Sequence, residues 1–161
     1  MIIIVAAIGG DPEEEPATDE TTETEEEETL EDESFTVGDV IEHEGRILTV
    51  DSVERDWVSP EEYDTPSEGD AYVLIELTLE NESEERVSFN PFHFEIKDAE
   101  GVIQSHGAAV MGIDTLSSGE LAPGGEISGK LVFEVNEDNL EDLTLFYEPG
   151  FWGDERVGVE L

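Results

Sequence analysis

Residues 71–81, AYVLIELTLEN, decide the fold. Val73, Ile75, Leu77 and Leu79 recur at a period of two, with Tyr72, Leu74, Glu76, Thr78 and Glu80 between them, as a strand that buries one face requires. A helix would space its apolar residues by three and four. The same period runs outward along the chain. FHFEIKD (92–98) sets Phe92, Phe94 and Ile96 on one face, EISGKLVFEVN (126–136) aligns Ile127, Leu131, Phe133 and Val135, and LTLFYE (143–148) aligns Leu143, Leu145 and Tyr147. GRILTVDSV (45–53), RVGVEL (156–161) and a short first strand near DVIEH (39–43) bring the expected count to about seven. Turn chemistry separates these runs: KDAEG at 97–101, NESEE at 81–85, APGG at 122–125 and EPGFWGDE at 148–155. NEDNLEDL (136–143) is the one helix candidate, of two turns at most, and residues 101–120 are the least periodic stretch. Short strands at regular spacing predict an all-β antiparallel sandwich or barrel.

Composition limits where this domain can lie and what it can bind. All seven Phe, all three Tyr and both Trp stand at or after Phe35, while residues 11–34 hold one large apolar residue, Leu30. A core can form only from residue 35 onward, leaving 127 residues for one domain. The chain carries 45 Asp and Glu against 6 Lys and Arg, for a net charge of −39. Residues 35–161 keep 31 of those acids and all six bases, so the foldable part is itself strongly acidic. Such a surface repels itself unless salt shortens the Debye length, which falls to about 3 Å at 1 M. A halophilic setting is therefore expected, the other reading being a domain that binds diffuse cations or basic partners. Nucleic acid is excluded as a partner, because its affinity comes from Lys and Arg on phosphates. There is no cysteine, hence no disulfide, thiolate nucleophile or lipid acceptor.

The chain begins with IIIVAAI at 2–8, shorter than the roughly 20 apolar residues that span a bilayer and without a basic flank. Residues 1–9 read either as the outer end of a signal or membrane anchor that starts further upstream, or as a short apolar tag on a soluble terminus. Seven exposed apolar residues with nothing to pack on favour the first. Residues 10–34, acidic and rich in Thr, read as a disordered stalk of at most about 80 Å. The domain follows at 35–161. Any contact with a membrane would be made through the upstream anchor.

Taken together, FTVGDVIEHEGRILTVDSVERD, EGDAYVLIELTLENESEERVSFNPFHFEIKDAEG and LAPGGEISGKLVFEVNEDNLEDLTLFYEP, closed by VGVEL, resemble a domain family of unknown function. That family occurs in prokaryotic lipoproteins and anchored envelope proteins and is similar to the immunoprotective extracellular antigen superfamily. The resemblance covers residues 35–161. It rests on a Gly-Asp turn after the first strand, an Asn ending the central strand, an L-x-P-G turn at 121–124 and G-x-LVFEV at 129–135. It implies an immunoglobulin-like β-sandwich outside the cytoplasm and supplies no catalytic residues; the expected partner is an unknown protein or envelope component. The lipobox cysteine of the lipoprotein members is missing.

Candidate chemistry is sparse. No G-x-S-x-G occurs, and His43, His93 and His106 lack zinc-ligand spacing. His93 is expected on a strand surface, and His106 in a loop where it could meet a ligand. The acidic runs at 60–64, 68–70, 80–85 and 136–142 do not match a calcium loop. No cofactor, metal site or enzyme activity is expected. Trp57, Tyr63, Tyr147, Phe151 and Trp152 offer a stacking platform near the sheet ends, the basis of an alternative function in carbohydrate or cation binding; equally, the tryptophans could close the sandwich. Asn81 heads an N-E-S glycosylation sequon, expected exposed in the turn after its strand.

Overall fold

The computed structural model describes residues 34–106, 110–148 and 156–161. The expectations for 1–33, and for Phe151 and Trp152, lie outside these residues. The described chain forms eleven strands: β1 Phe35–Thr36, β2 Val40–His43, β3 Arg46–Trp57, β4 Asp70–Asn81, β5 Val87–Phe89, β6 Phe94–Lys97, β7 Ile103–Ser105, β8 Gly119–Leu121, β9 Glu126–Asn136, β10 Thr144–Tyr147 and β11 Val157–Glu160. One sheet runs β1-β11-β10-β6-β7 and a second β2-β3-β4-β9, with β5 paired to β8 beside them. The strands pair antiparallel apart from β1, which lies parallel to β11. This is the expected immunoglobulin-like antiparallel sandwich. All seven strands read from the periodicity are present; the four that were not are two or three residues long.

The core forms where the period-two faces meet. Val73, Ile75, Leu77 and Leu79 of β4 are fully buried, with Leu131, Phe133 and Val135 of β9 beside them. Phe94, Ile96, Leu145, Tyr147, Val157 and Val159 close the core from the other sheet. Each such side chain contributes roughly 1.5–3 kcal/mol by leaving water. Tyr147 is thus a core residue, 1% exposed and 4.1 Å from Phe94 between ring centroids, and does not belong to a surface platform.

Local departures from the simple alternation have identifiable causes. Asn90 accepts a hydrogen bond from the Phe92 amide at 2.9 Å and starts a 3-10 turn at Pro91–His93. Phe92 therefore leaves the Phe94/Ile96 face and is 66% exposed, and His93 lies in that turn, half-buried, rather than on a strand. In β3 the pairing with β4 shifts between Val50 and Ser52 and again between Glu54 and Trp57, where Asp56 takes a positive φ of 54°. The second bulge delivers Trp57 to the outer face opposite Tyr72. NEDNLEDL supplies one 3-10 turn, Glu137–Asn139.

The outer face of β4 is not simply polar. Tyr72 and Leu74 are buried with Val132 and Val110, and Trp57 and Ile113 pack against them as a second small cluster. Val110 and Ile113, from the connection between β7 and β8, cover this end of the sheet.

Candidate interaction surface

Asn81 ends β4 and occupies the join between the hairpins. Its side-chain nitrogen donates to the carbonyls of Glu85 at 2.7 Å and Leu121 at 3.0 Å, and its side-chain oxygen accepts from the Ser83 amide and hydroxyl. Its backbone clasps the L-x-P-G turn, with Asn81 N donating to Gly125 O and Gly124 N donating to Asn81 O. Two motifs 40 residues apart thus form one lock. The residue is fully buried, which corrects the expectation of an exposed sequon: the nitrogen that a glycan would need already serves two carbonyls.

His106 is likewise structural. It is 8% exposed, its ring meets Phe133 edge-on at 5.9 Å, and its Nδ1 lies 3.2 Å from the Val132 carbonyl, so Nδ1 carries the proton and donates. Burial holds the imidazole below its ordinary value of 6.5, opposed by that hydrogen bond. Two residues earlier on β9, Leu116 N donates to Lys130 O at 2.8 Å, and Thr115 bridges to Lys130. His106 and the 115–116 segment together cover the free edge of β9, an edge that would otherwise invite pairing. His43 lies 3.9 Å from Glu44, at the β2–β3 turn.

The remaining aromatic candidates separate. Trp57 meets Tyr72 at a tilt of 49°, with ring centroids 6.1 Å apart, and is partly buried, whereas Tyr63 stands 94% exposed in the β3–β4 connection. That connection is organised by Asp64. One carboxylate oxygen accepts from Ser59 Oγ at 3.2 Å and Met111 N at 2.9 Å, and the other from Tyr72 Oη at 3.2 Å. Burial and the adjoining Asp64 push the Tyr72 phenol up to about 12, so it stays a donor. A Cβ on Gly112, at φ +83°, would come 3.3 Å from Pro60 Cγ, so the two loops lie against each other. On this loop pair Val58 and Met111 are also exposed, at 81% and 73%. Sequence reading singled out Tyr63, and Asp64 only as one of the acids in the run 60–64; Val58 and Met111 carry no motif.

The bases are mostly engaged. Arg55 donates to the Leu161 carbonyl at 2.6 Å, Lys130 pairs with Glu76 at 3.0 Å, and Arg156 stacks 3.6 Å above the Phe146 ring with Glu148 at 3.7 Å. Lys97 approaches the same ring at 5.5 Å. Among the described residues no group of three or more His, Cys, Asp or Glu is placed to hold a metal ion, and no helix is long and apolar enough to cross a membrane.

Comparison with known proteins gives the fold several counterparts. The yjhA protein of Bacillus subtilis is 21% identical, with a TM-score of 0.59 over 79% of this chain and 98% of that one. A "putative lipoprotein (ycdA)" of Bacillus subtilis is 15% identical at a TM-score of 0.59, over 80% of this chain and 39% of its own length. MPT63, a secreted protein of Mycobacterium tuberculosis, is 17% identical at 0.54, over 80% and 97%. No curated protein matches by sequence. The family model described as a domain of unknown function (DUF4352) matches residues 25–157, and the chain belongs to that family.

Proposed function

We propose that this chain is a non-enzymatic interaction or structural module that works outside the cytoplasm, held to the cell envelope through its acidic N-terminal segment, in salty surroundings. The observation that carries the reading is how the sandwich uses its reactive polar side chains. His106, Asn81, Asp98 and Asp64 each bind backbone groups that hold a strand edge, a hairpin or a loop in place. Groups a catalyst would leave free for substrate are committed to the fold. The external location is supported by the likeness to a secreted mycobacterial protein and to a protein described as a lipoprotein.

The test is protease shaving. Intact cells of the source organism, treated with an external protease, should lose the domain's antibody signal while a cytoplasmic marker survives. Protection equal to that of the marker would overturn the reading.

A further inference from the structure

We propose that the Asp64-clipped loop pair is a docking surface whose occupant is a cationic segment of a partner protein, with Arg or Lys alternating with apolar residues; this rests on the interaction-module reading above. Three exposed apolar side chains stand on these two loops. Asp64 binds the Met111 amide directly and the hydroxyl of Ser59, the neighbour of Val58, while Tyr63 precedes it in the chain. One carboxylate thus ties together the chain segments that carry Val58, Tyr63 and Met111, which are 73–94% exposed. A patch fixed before binding spends little ordering entropy on association.

The surroundings select the occupant by charge. Residues 56–85 contain no Lys, Arg or His, and the loops themselves carry Glu61, Glu62, Asp64, Glu68 and Asp114. Covering the apolar side chains brings these carboxylates against the partner. A neutral or acidic surface would meet uncompensated charge, and a second copy of this chain, net −39, is repelled. Arginine answers both demands, pairing with carboxylates through its planar fork while stacking on a tyrosine ring. Tyrosine is a frequent binding hot spot, and methionine adapts to irregular partners. In concentrated salt the ion pairs weaken, so retained affinity must rest on the apolar side chains.

The test uses the full chain and a fluorescein-labelled decapeptide of alternating Arg and Leu, with an alternating Glu-Leu peptide as control, followed by anisotropy in 0.15 M and 1 M KCl. The Arg-Leu peptide should bind saturably, one per chain, and the control should not. The triple variant Val58→Ser, Tyr63→Ser, Met111→Ser keeps the charge unchanged and should lose at least tenfold in affinity, most clearly at 1 M KCl. Tyr63→Ser alone, at a side chain with almost no buried surface, should lose about threefold. Unchanged affinity in both variants would reduce the binding to diffuse charge attraction and overturn the proposal, as would absence of binding or equal binding of the acidic peptide. Protease shaving reads location independently of these outcomes, so either reading can fail without the other.

Discussion

Asn81 shows how far a residue's role is set by chain that its neighbours do not contain. N-E-S is a valid sequon, and a turn after a strand is a reasonable place for a glycan. What buries the side chain instead is Leu121, 40 residues away, whose carbonyl it binds. Asn81→Ala leaves the Glu85 and Leu121 carbonyls without that donor, and losing one buried partner costs about 1–3 kcal/mol. We expect about 2–4 kcal/mol lower stability in urea titration, and no mass change on glycosidase treatment after secretion from a eukaryotic host. His106 gives a second residue-level prediction. Its folded pKa lies below the unfolded 6.5, so the unfolded chain takes up the proton first as pH falls. Its contribution is full above about pH 6.5 and declines as pH drops through the lowered folded value. Wild type should therefore lose more stability between pH 7.5 and 5.5 than His106→Gln. Parallel losses would show that the ring does not resist protonation.

At the scale of elements, legibility followed strand length and depended on whether the information was local. Seven strands carry their own alternation, and each was readable. Segments 35–36, 87–89, 103–105 and 119–121 are too short for a period and become strands only because a partner pairs with them. The same reason hid the loop pair, since Val58 and Met111 are 53 positions apart and are joined through Asp64. Gly129, in contrast, stood in a quoted motif whose physical cause only the packing reveals. A Cβ there would lie 2.9 Å from Leu116 Cβ and Cδ1, so the glycine admits the segment that covers the β9 edge. Gly129→Ala should cost about 1–3 kcal/mol through overpacking. Combined with Leu116→Ala it should cost less than the sum of the two single variants, and strict additivity in that double-mutant cycle would reject the packing account. Glu80 and Glu126 face each other across β4 and β9, a like-charged pair that opposes the sheet. Glu126→Lys should stabilise by about 0.5 kcal/mol at low salt, and the gain should disappear near 1 M KCl.

Over the whole molecule the same repulsion is multiplied. Residues 35–161 hold 31 carboxylates against six bases, and Asp98 is the one buried acid among the described residues. The other described acids share a surface with few cations, several of them already spent on Glu76, Glu148, the Phe146 ring and the Leu161 carbonyl. Unfolding moves those charges apart, so low ionic strength penalises the compact state. Between 0.1 M and 1 M salt the Debye length shrinks from about 10 to about 3 Å, below the spacing of most surface charges, and further salt has little left to screen. Excluded co-solutes such as sulfate act by a different route, strengthening burial without saturating in this range. The two routes give different curves. If like-charge repulsion sets the stability, the melting temperature should climb steeply with KCl up to about 1 M and then flatten. Neutralising eight exposed glutamates to glutamine should raise the low-salt end and leave the plateau in place. A curve that is flat from 0.1 M, or a glutamine variant with an unchanged slope, would mean that the carboxylates do not control stability, and the expectation of a high-salt habitat would lose its physical basis while the sandwich and its loop surface stood.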